Sequence, residues 1–148
     1  MKSIGRIVAA LAIALIAVPA EAQNYYEPAR GTQLRADLMD ALRPHVEWSL
    51  GSPVEFVIRD LRVSGDVAFA QVMPQRPGGG EIDLATTPMV LRDGVSIGFI
   101  DGVWTQALYV RSGRQWVAVH HAIGATDVWY AWSGYCEIWA VVIPEVCR

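Results

Sequence analysis

The sequence predicts an α+β domain: an N-terminal helix packed on a strongly bent antiparallel sheet, a cone with one open end, with a short helix near the C-terminus. Three observations carry that expectation. Leu34, Leu38 and Leu42 fall at i, i+4 and i+8, one apolar stripe of a helix. Residues 54–73 and 103–123 each alternate apolar and other side chains about a glycine-containing turn, as hairpins do. The order is helix, hairpin, irregular segment, hairpin, short helix, so helices and strands are segregated along the chain.

Residues 1–22 read as a targeting segment. Lys2 and Arg6 make a basic start, Ile7 to Val18 an apolar run, and Ala20-x-Ala22 a small-residue site for cleavage before Gln23. The run is shorter than the ~20 apolar residues of a membrane span. Residues 23–148 then form a single domain. Of the 148 residues, 53% are apolar, too many for a disordered chain. Gln23 to Gly31 is polar and reads as a mobile arm or a surface strap. Thr32 is placed to cap the first helix, Pro44 to interrupt or kink it after Arg43, and Gly51 to end it.

Pro53 opens the strands. Val54, Phe56 and Ile58 alternate with Glu55, Val57 and Arg59, and Ser64-Gly65-Asp66 turns the chain into 67–73. Pro74 to Gly80 is a loop by composition, stiff at its prolines and loose at its glycines. Pro88, Gly94, Gly98 and Gly102 break every period in 81–102, which predicts a short helix or edge strand with loops. Residues 103–111 and 115–123 form the second hairpin about Ser112-Gly113-Arg114. Thr126 or Asp127 is placed to cap a helix over 127–135, and Ile138 to Ile143 reads as a strand or an extended stretch across the core.

Charge and cysteine usage exclude several classes. Twelve basic against 15 acidic groups give −3 overall, so a nucleic-acid backbone has little to attract it. Cleavage before Gln23 leaves 126 residues, ten arginines, 14 acids and no lysine, at a net −4. Schiff-base and lysine general-base chemistry are thereby excluded. Cys136 and Cys147 are close in sequence, and in an oxidising compartment such a pair favours a disulfide that pins the tail. The sulfurs lack the Cys and His company of a zinc site. No Walker loop, dinucleotide fingerprint, His-Glu-x-x-His or Gly-x-Ser-x-Gly occurs. The sequence therefore points to no cofactor and no metal.

The candidate chemistry is sparse. His120 and His121 are adjacent on a strand, so they point to opposite faces. By strict alternation Trp116, Ala118, His120 and Ala122 share one face, and Val117, Val119, His121 and Ile123 the other. One histidine then faces the interior as a general base near neutral pH, or is hydrogen-bonded or exposed without such a role. Asp127 follows closely and is placed either to orient that histidine or to cap the helix. Arg59, Asp60 and Arg62 read as solvent-face ion pairs, each contributing ~0–1 kcal/mol. Trp129, Tyr130, Trp132, Tyr135 and Trp139 form a dense aromatic run that either fills the core or stacks on a ligand. Arg76 is the single charged group of the 74–80 loop. Arg76, Trp129 and Trp132 are the binding candidates.

Four segments carry a resemblance: Pro53-Val54-Glu55-Phe56-Val57, Gly65-Asp66-Val67-Ala68-Phe69, Pro74-Gln75-Arg76-Pro77 with its glycines, and Trp116 followed by Ala122 to Val128. The pattern resembles a group of small secreted bacterial proteins, and the resemblance implies a cystatin-like or NTF2-like fold. Val67 stands where the group prefers Trp, Ala125 where it prefers Pro, and His120 where it often has Glu. The resemblance implies a fold more than an activity. The expectation is a periplasmic or secreted, non-catalytic module that binds an unidentified ligand or exported protein. The alternatives are a lyase or isomerase using an inward histidine with Asp127, or an inhibitor or immunity-type protein.

Overall fold

A computed structural model describes residues 24–147; residues 1–22, read above as a targeting segment, lie outside them. The polar arm is a strap. Tyr26 and Val63 exchange backbone hydrogen bonds of 3.0 and 2.9 Å, and the Ser64 hydroxyl donates to the Asn24 carbonyl. Helix α1 spans Gln33–Leu50. Thr32 caps it by accepting from the Arg35 N–H, and the Gly51 N–H closes it on the Glu47 carbonyl with φ at 81°. Pro44 does not interrupt it: the helix runs on for six residues, and Val46 and Leu50 are fully buried. Burial of that last turn outweighs the one main-chain bond a proline removes.

The sheet is an open antiparallel meander, β1 (Glu55–Ser64), β2 (Val67–Gln75), β3 (Thr105–Ser112) and β4 (Gln115–Ile123), in that spatial order. Both hairpins stand where the alternation places them. One sheet face presents Leu61, Val63, Ala68, Ala70, Val72, Ala107, Tyr109 and Ala118, which share a buried cluster with Leu38, Leu42, Val46 and Leu50 of α1. Three of the central-strand positions are alanines, short side chains that admit a helix close to the sheet. The opposite face presents Phe69 and Leu108, which are buried with Trp139, Val142 and Ile143 of the C-terminal segment. Each face of the sheet thus has its own apolar cover.

Strict alternation fails in β4. Leu108 pairs with His120 but Tyr109 with Ala118, so Val119 is an extra, bulged residue. The bulge puts His121 and Ile123 on the face of Trp116 and Ala118, and His120 on the other. A similar shift leaves Arg59 unpaired in β1 and keeps Phe56, Ile58, Leu61 and Val63 on one face. Segment 81–102 holds 3-10 turns at Leu84–Thr86 and Ile97–Phe99 and helix α2 (Pro88–Leu91), with no strand.

Two C-terminal expectations are corrected. The helix expected over 127–135 is a 3-10 turn, Trp129–Ala131, followed by α3 (Ser133–Trp139), and neither takes a side-chain cap from Thr126 or Asp127. The turn lays Trp129 and Tyr130 on the sheet before the helix begins. Trp132 then folds over Gly134, where a Cβ would collide with its ring. Residues 138–143 form no strand: α3 ends at Trp139 and turns follow, which bury Val142 and Ile143 on the sheet.

Candidate functional site

Beyond its last pair with β3, Val72 to Thr105, strand β2 continues through Met73, Pro74 and Gln75, then enters the glycine loop. Arg76 and Gly80 pair as an isolated bridge, and Gly78 and Gly79 turn between them with φ of 81° and 90°. On the far side residues 101–104 lead into β3. The Asp101 N–H donates to the Gly124 carbonyl at 2.8 Å, and the Thr105 hydroxyl donates to Val103 O at 3.0 Å. Gly124 has φ of 60° and no room for a Cβ beside Ile100 and the Gly102 carbonyl, so only glycine permits this approach. Between the two walls lies a cleft of ≈ 440 Å³. Ile82, Leu84, Val103 and Trp104 line it, with Glu81 and Asp101 as its charged groups.

Arg76 does not face this cleft. Its guanidinium donates to Leu50 O at 2.7 Å, to Pro53 O at 3.1 Å and to Gly51 O. Those carbonyls are the orphan acceptors at the end of α1 and the turn after it, so Arg76 satisfies a helix terminus and fixes the glycine loop against it.

The two histidines lie on opposite faces. His121 is half-buried toward α1, its ring centroid 4.8 Å from that of His45. Burial, then the nearby positive charge that His45 and His120 would carry, lowers its pKa, so its ring is neutral at pH 7. His120 packs on the C-terminal cover, 4.6 Å from the Tyr135 ring and 5.7 Å from Trp139. Asp127 is exposed, and among the described residues no hydrogen bond joins it to either histidine. The pairing of His121 is with His45, which the sequence analysis did not single out; the two lie 76 positions apart.

The aromatic run divides. Trp139 is buried and donates its indole N–H to the Tyr109 carbonyl at 2.8 Å. Trp129 is half-buried, with its indole N–H 3.4 Å from the Gln106 side-chain oxygen. Trp132 is 63% exposed and meets Tyr135 edge-on at 5.0 Å. Cys136 and Cys147 are joined, with S–S at 2.01 Å. Arg62 is no solvent-face residue: its side chain is 15% exposed, pairs with Asp60 at 2.5 Å and Glu145 at 2.7 Å, and donates to Val142 O. It also lies over the rings of Tyr25 and Phe69, so it clamps the C-terminal tail to β1.

Sequence reasoning missed the cleft residues Glu81, Asp101 and Trp104. They lie in or beside the segment without a period, where no pattern assigns a facing. Among the described residues no helix is long and apolar enough to cross a membrane, and no group of three or more His, Cys, Asp or Glu is placed to hold a metal ion. The disulfide fits an oxidising compartment. Compared with known proteins, the chain matches no family model, no curated protein and no solved structure. Fold and site therefore define a class only: an α+β protein with a ligand-sized recess at one end of its sheet.

Proposed function

We propose that this is an exported binding module with a cystatin-like or NTF2-like fold, and that it holds a small ligand in the cleft between 73–84 and 101–104 without transforming it. The single observation that carries the reading is the cleft itself. Its volume lies within the ~300–1,000 Å³ of small-molecule sites, and its walls are mostly apolar with a few polar groups. The fold reading is supported by one helix preceding a four-stranded antiparallel meander whose central strands carry alanines toward that helix. Export to the periplasm or beyond is supported by the targeting pattern and the cysteine bridge.

Protein-observed NMR with a set of small aromatic and aliphatic compounds tests the binding reading. Hits are expected to shift Ile82, Val103 and Trp104. Gln75→Trp, which fills the cleft from its rim, is expected to weaken them at least tenfold with little change in the unfolding midpoint. Hits confined to other surfaces overturn the reading. Turnover of a compound, lost in His121→Ala while the fold persists, replaces it with the catalytic alternative. A second reading, docking onto another exported protein, draws on Val128, Trp132 and Ile138, exposed apolar groups beside the C-terminal tail.

A further inference from the structure

We propose that the cleft selects a small organic cation, an ammonium group on an apolar body. The inference rests on the binding reading above and adds the ligand's charge. Among the residues lining the cleft, Glu81 and Asp101 are the charged ones, and both are acidic. They belong to opposite walls, so they flank the opening from two sides. Among the described residues neither carboxylate takes part in a hydrogen bond or an ion pair, and both are exposed. The nearest basic side chain in sequence, Arg76, is turned away and held by three carbonyls at the end of α1. The negative charge at the cleft thus has no internal counter-ion there.

The interior complements this. Ile82, Leu84 and Val103 give an apolar floor, and Trp104 adds an indole, the aromatic group that attracts cations best. An anion entering the same space would meet two like charges, and its donor side chains are the neutral Gln75 amide and the Trp104 indole N–H, with no basic group among the lining residues. The Asp101 wall is also fixed in advance: its N–H is bonded to Gly124, a position that tolerates no side chain. One acidic wall is thereby held in place before a ligand arrives.

Three probes with one apolar body separate charge from shape: phenethylammonium, phenethyl alcohol and phenylpropionate. Titration of the intact, oxidised protein at pH 7 and low salt is followed at the amides of Ile82, Val103 and Trp104. The ammonium is expected to bind about fivefold or more tighter than the alcohol, and the carboxylate weakest of the three. Raising the salt is expected to shrink that preference, because the carboxylates are exposed. Glu81→Gln with Asp101→Asn is expected to remove the preference, so that the ammonium binds no tighter than the alcohol. Equal affinities, or a preference for the carboxylate, overturn the cation inference while the binding reading stands. Absence of any response at the three amides, with all three probes, overturns both.

Discussion

His121 joins a strand to a helix through one imidazole on another. Its proton affinity in the folded protein is lowered, chiefly by burial. The unfolded chain, with an ordinary histidine near 6.5, binds the proton more readily. The stability contributed by the neutral ring is therefore whole above about pH 6.5 and is lost as the pH falls through the lower folded-state value. Thermal unfolding of the wild type is expected to move to lower temperature between pH 7.5 and 5, and His121→Phe to flatten that slope. Carboxylates act in both proteins, so the difference between the slopes reports His121 together with its coupling to His45 and His120. An unchanged slope in the variant would assign the acid sensitivity elsewhere. The adjacency of His120 and His121 was legible as a split between two faces. Which face each takes was not, because Val119 is a bulge without a glycine or any other mark in the sequence, and one extra residue reverses every side chain beyond it.

Among the elements, the C-terminal cover depends most on long-range ties. Its 3-10 turn and seven-residue helix are too short to persist alone. Three features hold it: Trp139 on Tyr109, Arg62 on Glu145 and Val142, and the bridge between Cys136 and Cys147, 11 positions apart. A loop of that length contributes on the order of 3 kcal/mol. Cys136→Ala with Cys147→Ala is expected to lower unfolding free energy by about 2–3 kcal/mol in urea. It is also expected to speed amide exchange over 133–147 more than in β2 and β3. Uniform acceleration across the sheet would mean that the bridge supports the whole core. This element also shows where sequence reading stops. The two hairpins were legible because side-chain alternation and glycine turns are local signals. The start of α3 was not, since Thr126 and Asp127 look like caps. The chain instead defers the helix by six residues so that Trp129 and Tyr130 can reach the sheet, a tertiary gain that outweighs local capping. Segment 81–102 was illegible for a different reason: its elements are three or four residues long, too short to set a period, and the first is capped locally by Asp83.

For the molecule as a whole, the sheet is common property of both buried clusters. Ala68, Ala70 and Tyr109 face the helix, while Phe69 and Leu108, between them in sequence, face the cover. Loss of either cover exposes strands that the other needs. The oxidised protein is therefore expected to unfold in one transition, with tryptophan fluorescence and far-ultraviolet circular dichroism giving the same urea midpoint. Two separated midpoints would show that the cover detaches first.

The hairpin tips at Gly65 and Gly113 lie at the end of the sheet away from the cleft, with open space where a Cβ would stand. Residues 23–148 contain no lysine. A lysine substituted for Arg114 would then carry the only side-chain amine in that stretch. Anchored to a sensor through that amine, the molecule would stand with its recess pointing into the flowing sample.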